Sequence, residues 1–238
     1  CSSDLLRQTF QFFDVKPDIE LSVMTHDQTL HALSSRLLES LKDLFEIEKY
    51  DLVVVQGDTT TAFISSLSAF YFKIKVAHIE AGLRTYRKDA PFPEEINRQL
   101  ISRIADFHFA PTERAEKVLL AEGVSNVWRV GNTVIDSLLY CYEKVRKNIS
   151  QYDRKYAFLG SFVKLVLITG HRRENFGAGF EGICQAVELL AARYPNFLFL
   201  YPVHLNPNVR GIVFDRLGTK SNIKLIDPVG YDELVYLM

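Results

Sequence analysis

Short apolar runs alternate with amphipathic stretches along most of the chain. The runs are rich in branched side chains and predict strands at 51–56, 74–79, 126–130, 163–169, 197–203 and 222–226. Helical spacing is clearest over 28–48, where one stripe is formed by Leu30, Leu33, Leu37, Leu41, Leu44 and Phe45. The same spacing predicts further helices near 60–72, 94–105, 112–121, 134–147, 177–193 and 207–217, and from Tyr231 onward.

Continuous apolar strands that are separated by helices are typical of a parallel sheet with both faces covered. Right-handed crossovers then produce doubly wound α/β topology. The polar stretch 143–161 has no strand signal and separates two series of strand–helix units. We therefore expect two Rossmann-like lobes, residues 1–150 and 160–238, with a ligand in the cleft between them. Both lobes are expected to be incomplete, since the first opens on a helix and the second stops inside one.

The composition narrows the class of protein. The 238 residues carry 28 Lys and Arg against 29 Asp and Glu, a formal net charge of -1, and 47% are hydrophobic. The hydrophobic fraction excludes a disordered or fibrous chain. The near-zero net charge argues against a nucleic-acid binder or a membrane-surface protein. Cys1, Cys141 and Cys184 form neither a metal pattern nor a disulfide framework, so we expect reduced thiols in the cytoplasm and no metal.

The first residue is a cysteine rather than a methionine, and no apolar run is long enough to span a membrane. One interpretation is a mature bacterial lipoprotein whose Cys1 carries a lipid. The favoured interpretation is a chain that begins within a longer protein. Residues 4–13 already have the pattern of an amphipathic helix, which would leave almost no tether between a lipid and the fold.

Candidate chemistry lies where the predicted strands end, because ligands of open parallel sheets bind outside the carboxyl ends of the strands. The first predicted strand leads into Asp58, and the second leads into Glu80. Consecutive strands usually lie side by side, so both carboxylates are expected at one edge of the sheet. Each has a structural alternative, Asp58 as the N-cap of the next helix and Glu80 in a solvated ion pair with Arg84. For His78 we expect a structural role in the core.

Two further carboxylates begin the third predicted helix. Pro93 suits its first turn, where Glu94 and Glu95 are favoured by the helix dipole. One of the two can face the cleft, but not both. The structural alternative for Glu94 is a helix-stabilising pair with Arg98 at spacing i,i+4.

The turn after strand 163–169 contains Gly170, His171 and two arginines before a predicted helix. Such a turn suits a pyrophosphate, although the arginines could equally be surface solubilisers. It contains neither the dinucleotide-binding glycine fingerprint nor a phosphate loop. Carboxylates in one lobe that face a basic turn in the other predict an anionic ligand and proton chemistry.

Several runs, in collinear order over nearly the whole chain, resemble the non-hydrolysing bacterial UDP-N-acetylglucosamine 2-epimerases. They are QGDTTTAF, AHIEAGLRT, FPEEINRQL, FAPTERAEKVLL, VGNTVIDSLL, ITGHRRENFG and YPVHLNPNVR. The resemblance implies the glycosyltransferase-B fold of two Rossmann-like lobes, a UDP-sugar substrate, no cofactor and a homodimer. The family's Gly-Thr-Arg-Pro-Glu loop and Asp-Ser-Gly-Gly segment do not occur in this sequence.

The resemblance also implies the reaction and its residues. Asp58, Glu80 and Glu94 match the family's catalytic acids, and the first two also bind substrate. His171 matches a catalytic and substrate-binding residue on the nucleotide side. The implied activity converts UDP-N-acetylglucosamine to UDP-N-acetylmannosamine, for surface polysaccharide synthesis, by elimination and re-addition of UDP. The two faces of the sugar call for two acid/base groups, and a third carboxylate can steady the cationic anomeric carbon.

Alternative functions of this chain remain open. A hydrolysing epimerase of the same fold would release N-acetylmannosamine and UDP. A glycosyltransferase of this fold would need an acceptor cleft rather than a cluster of acids. An inactive truncated remnant would catalyse nothing.

Overall fold

The computed structural model describes residues 9–25, 27–170, 178–203 and 207–238 and divides the chain into two compact units. One unit is Pro17–Ser137, and the other comprises Cys1–Lys16 with Leu138–Met238. Each contains a parallel sheet flanked by helices. The predicted α/β class with parallel sheets is thereby confirmed.

The unit Pro17–Ser137 alternates helices and strands. Its elements are α1 (Leu30–Ile47), β1 (Leu52–Gln56), α2 (Thr60–Tyr71), β2 (Lys75–Ile79), α3 (Glu94–Ile104), β3 (Phe107–Ala110), α4 (Glu113–Ala121) and β4 (Val127–Arg129). The sheet order is β1-β2-β3-β4 with every neighbouring pair parallel. Because Gln56 at the end of β1 is in register with Ile79 at the end of β2, both strands finish at one edge of the sheet.

The core of this unit follows the predicted apolar stripe. Leu33, Leu37, Leu41 and Phe45 of α1 are buried against apolar side chains of β1, α2 and α3. Each fully buried Leu or Phe contributes about 2 kcal/mol through the area it removes from water. One face of β1 differs from the prediction that both faces are covered, since the described residues leave Val54 55% exposed.

Strand β3 was not predicted from the sequence. It is a four-residue run, Phe107–Ala110, whose buried positions are His108 and Ala110. A short run with a histidine in it and a proline directly after it lacks the continuous branched pattern of the other strands. Its neighbours in the sheet determine that it is a strand, because β2 and β4 pair with it on either side.

The second unit contains a further series of helices and strands, the first of which begins before the unit boundary at Ser137. They are α5 (Thr133–Lys147), α6 (Ile149–Lys155), a 3-10 helix (Ala157–Ser161), β5 (Lys164–Leu167), α7 (Ala178–Arg193), β6 (Phe197–Pro202), α8 (Pro207–Leu217), β7 (Ile223–Ile226) and α9 (Tyr231–Leu237). The sheet order is β5-β6-β7, again parallel throughout.

The units divide at Ser137, whereas the sequence predicted lobes of 1–150 and 160–238 with a polar connection between them. The boundary differs because the predicted polar connection contains apolar residues at helical spacing between its charged residues. Cys141 and Val145 of α5 are buried in one cluster with Tyr152 and Tyr156. The spacing of four within each pair is helical, so most of the polar stretch is helix and packs within the second unit.

Two of the cysteines fit the expectation of idle, reduced thiols. Cys141 and Cys184 are free and completely buried. Burial raises the pKa of Cys141 to about 11 and also raises the pKa of Cys184. Cys1 lies outside the described residues. Over the part of the chain that the structure describes, no helix is long and apolar enough to cross a membrane.

Candidate active site

The turns that follow β1 and β2 lie against each other and carry Asp58 and Glu80. The Gly57 N–H donates to the Ile79 carbonyl at 3.0 Å, which fastens the first turn to the end of β2. Gly57 adopts a left-handed φ of 72°, and an added Cβ there would lie 3.9 Å from Glu80 Oε2. The two carboxylates therefore occupy the same edge of the sheet, as the strand order predicted.

Asp58 is held by helix α3 from two sides. Its carboxylate forms an ion pair with Arg98, and its backbone carbonyl accepts a hydrogen bond from Asn97 Nδ2 at 2.9 Å. The N-cap of α2 is Thr59, whose hydroxyl accepts the Ala62 N–H at 3.1 Å. The structural alternative for Asp58, an N-cap carboxylate, is therefore wrong.

Arg84 is buried and pairs with Glu122 rather than with Glu80, so the solvated ion pair considered for Glu80 and Arg84 is also wrong. The Arg84 side chain is 1% exposed and forms a two-pronged ion pair with Glu122, at 3.0 Å through Nε and 2.9 Å through Nη2. Partial burial raises the pKa of Glu80, and the negative charge of Asp58 adds to this, while Arg98 opposes it. A carboxyl group whose pKa is raised holds its proton to a higher pH than an ordinary carboxyl group does, which suits a proton-transfer role.

The two carboxylates at the start of α3 have different environments. Glu95 is completely buried and accepts the backbone N–H groups of Thr85 and Tyr86, each at 3.0 Å. Glu94 is only partly buried, at the first position of the helix. Arg98 pairs with Glu95, at 3.6 Å from Nη1, and with Asp58, rather than with Glu94 as the helix-pair alternative supposed. Glu94 is thus the more accessible of the two carboxylates.

His78 has the structural role that the sequence suggested. It is completely buried on β2, and its Nε2 donates to the Gly57 carbonyl at 2.8 Å. Burial lowers the pKa of His78 to about 4, so the ring is neutral at pH 7. Its hydrogen bond supports the turn that presents Asp58.

His171 lies outside the described residues, so its predicted place beside a nucleotide stays a prediction. The described part of the chain brings Asp58 and Glu80 together and places Glu94 on the helix that supplies Arg98. A pocket of about 310 Å³ adjoins Arg98, with Tyr86, Thr112 and Arg114 in its wall. The described ranges contain no group of three or more His, Cys, Asp or Glu residues placed to hold a metal ion.

Sequence reasoning missed two contributors to this site. Arg98 was considered only as a helix partner of Glu94, and Glu95 only as an alternative to it. The spacing of three between Glu95 and Arg98 was a usable signal, because such residues are neighbours on a helix. The pairing of Arg98 with Asp58 had no local signal, since 40 residues separate them in the chain.

Comparison with known proteins gives one consistent result. The family model for UDP-N-acetylglucosamine 2-epimerase matches residues 1–238. The UDP-N-acetylglucosamine 2-epimerase of Campylobacter jejuni is 44% identical over 243 residues, covering 98% of this chain and 63% of that protein. The protein of the same name from Escherichia coli K12 is 45% identical over 240 residues, covering 99% and 64%. The chain therefore spans a little under two thirds of the length of these relatives.

Solved structures show the same similarity. The crystal structure of UDP-GlcNAc 2-epimerase from Neisseria meningitidis bound to UDP-GlcNAc has a TM-score of 0.92 and 43% identity, covering 99% of this chain and 65% of that one. The Methanocaldococcus jannaschii enzyme in complex with UDP-GlcNAc and UDP has a TM-score of 0.78 and 32% identity, with coverages of 98% and 65%.

Proposed function

The chain belongs to the UDP-N-acetylglucosamine 2-epimerase family, and we propose that the full-length protein epimerises carbon-2 of UDP-N-acetylglucosamine to give UDP-N-acetylmannosamine. The observation that carries the proposal is the pair of adjoining turns with Asp58 and Glu80, next to the helix that supplies Glu94 and Arg98. The relatives from N. meningitidis and M. jannaschii, solved with UDP-GlcNAc bound, support a UDP-sugar as the substrate.

The chemistry requires several acidic groups. Carbon-2 of the sugar is not next to a carbonyl group, so its hydrogen cannot leave through an ordinary enolate. In the proposed route a base removes this hydrogen while UDP leaves from the anomeric carbon, which gives an unsaturated sugar. UDP then adds back as a proton reaches the opposite face of carbon-2. The two faces need two proton-transfer groups, each of which typically contributes about a hundred- to ten-thousand-fold in rate.

The environments of the carboxylates suggest a division of roles. Glu80, whose pKa is raised, suits proton transfer, and the accessible Glu94 suits proton transfer at the other face. Asp58 forms an ion pair with Arg98, and its negative charge suits stabilisation of the cationic anomeric carbon. His171, with the arginines that follow it, is proposed to bind the departing diphosphate.

The setting of the enzyme is also a proposal. We expect a homodimer in the cytoplasm that supplies surface polysaccharide synthesis. The buried, free Cys141 and Cys184 support the cytoplasmic location. The homodimer and the role in polysaccharide synthesis rest on membership of the family.

Heavy water provides the test of the reaction. If elimination occurs, the full-length protein in deuterium oxide places deuterium at carbon-2 of the product. Glu94→Gln keeps the side-chain shape but cannot carry a proton, so turnover falls about a hundred- to ten-thousand-fold with nucleotide binding retained. Glu113→Gln is the matched control, because Glu113 is likewise the first residue of a helix after a strand, and it leaves turnover unchanged.

Three other results of these experiments would contradict the proposal. An unlabelled product, together with normal turnover in Glu94→Gln, would refute the elimination route. Release of free N-acetylmannosamine and UDP would show the hydrolysing reaction instead. Absence of any turnover in a folded full-length protein would refute the epimerase proposal.

A further inference from the structure

The buried carboxylate of Glu95 is the best-satisfied acidic group of the described site. Its oxygens accept the backbone N–H groups of Thr85 and Tyr86 at 3.0 Å and the Gln99 Nε2 at 2.8 Å. Burial by itself would raise the pKa of Glu95, but these hydrogen bonds outweigh it and lower the pKa. Glu95 is therefore ionised at neutral pH although its side chain is completely buried.

The charge of Glu95 lies next to the cation that the site uses. Arg98 Nη1 is 3.6 Å from Glu95 Oε2, and Arg98 Nη2 forms the ion pair with Asp58. Arg98 is mostly buried, with 12% of its side chain exposed, so solvent screens these contacts only weakly. Glu80 lies beside this pair, because a Cβ added at Gly57, next to Asp58, would lie 3.9 Å from Glu80 Oε2. Both Asp58 and Arg98 act on the proton affinity of Glu80.

We infer that Glu95 is a positioning residue that has two effects on the acidic site. Its oxygens hold the backbone at 85–86 against the start of α3, and its charge balances part of the charge of Arg98. The negative charge of Glu95 opposes the positive charge of Arg98 at Glu80, and the balance of these two charges helps to set the pH at which Glu80 gains and loses its proton. The inference deepens the proposed function and rests on it for the meaning of Glu80 in catalysis.

The direction of the effect follows from the charges that act at Glu80. Asp58, at the end of β1, favours the protonated form, and Arg98, on α3, favours the ionised form. Neutralising Glu95 leaves more of the Arg98 charge uncompensated. The ionised form of Glu80 is then favoured, and its titration moves to lower pH. For a single charge acting across a partly screened site, the shift is about 0.5 to 1 pH unit.

The test is a titration of the Glu80 carboxyl that does not depend on activity. Full-length protein with 13C-labelled glutamate is followed by NMR across pH, and the Glu80 signal is identified by its loss in Glu80→Gln. Glu95→Gln is expected to lower the Glu80 midpoint by about 0.5 to 1 pH unit. Gln99→Met is the control, because it removes one hydrogen bond from Glu95 but keeps the charge, and it leaves the midpoint in place.

A second comparison covers the case in which Glu95→Gln does not fold. Arg98→Gln is titrated alone and together with Glu95→Gln, where both members of the buried pair become neutral. The midpoint of Glu80 is expected to be lower in the double variant than in Arg98→Gln, because the double variant lacks the negative charge of Glu95. Equal midpoints in this comparison would overturn the inference.

A role limited to folding would give a different result. Glu95→Gln would then lower the melting temperature while the Glu80 midpoint stayed unchanged, and this result also overturns the inference. Failure of the epimerase proposal is seen separately, since the titration reads the charges at Glu80 whether or not the protein turns over a nucleotide sugar.

Discussion

The Asp58 carboxylate shows how one side chain of this site depends on another element. Arg98 of α3 pairs with its carboxylate while Asn97 holds its backbone carbonyl, so both anchors come from the same helix. Its charge in turn raises the pKa of Glu80. A change at Asp58 therefore alters proton affinity as well as contact with a ligand.

Asp58→Asn is expected to change both the titration of Glu80 and the turnover of the full-length protein. The pKa of Glu80 falls, because the neighbouring negative charge is removed and Arg98 loses one of its two carboxylate partners. Turnover falls about a hundredfold or more, by analogy with loss of a preorganised charge in an active site. Asp51→Asn, at the exposed opposite end of the same strand region, is the control and leaves both quantities unchanged. An unchanged Glu80 titration in Asp58→Asn would contradict the assignment.

At the scale of elements, helix α4 packs directly on the turn that follows Glu80. Ala81 of the turn is buried in one cluster with Ala115 and Leu119 of α4. Gly82 adopts a left-handed φ of 90°, and a Cβ there would lie 2.4 Å from the Ala115 carbonyl oxygen. The position of Glu80 thus depends on the absence of a side chain two residues later.

Gly82→Ala tests this packing, with Gly123→Ala as a matched control. Both glycines have positive φ, but the space around Gly123 is open. Gly123→Ala costs about 1 kcal/mol of unfolding free energy from the backbone conformation alone. Gly82→Ala adds the clash with α4 and costs about 3 kcal/mol or more in total. Urea unfolding followed by the fluorescence of Trp128, on β4 of the same unit, measures both. Equal losses would show that α4 moves aside without cost.

At the scale of the whole molecule, buried histidines connect stability to pH. His78 and His108 are in register on neighbouring strands, and both are buried. Burial lowers the pKa of each, that of His78 from 6.5 to about 4. The unfolded chain therefore binds a proton at His78 at a higher pH than the folded protein does. The contribution of His78 to stability is present above pH 6.5 and is lost as the pH falls toward 4.

His78→Gln is expected to remove this part of the acid sensitivity. A shift from 6.5 to about 4 corresponds to a loss of about 3 kcal/mol across that window. Glu80 acts in the opposite direction, because its raised pKa favours the folded state at low pH, but its contribution cancels when variant and parent are compared. Unfolding free energies at pH 7 and pH 4.5 measure the difference, with His31→Gln, at an exposed position of α1, as the control. Parallel curves for His78→Gln and the parent would contradict the assignment.

The sequence by itself determined what depends on local pattern and chain order. The apolar stripe of α1 predicted its helix almost to the residue, and the order of the first two strands predicted that Asp58 and Glu80 share a sheet edge. Tertiary structure decided which groups contact each other. Arg98 pairs with Asp58 rather than with Glu94. The buried carboxylate of Glu95 accepts hydrogen bonds from backbone N–H groups 9 and 10 residues earlier in the chain. Tertiary structure also decided that β3 is a strand and that α5 ends in the second unit. Hydrophobic periodicity records which side of an element is buried, but not which partner covers it, because partners from distant parts of the chain meet only when the elements pack.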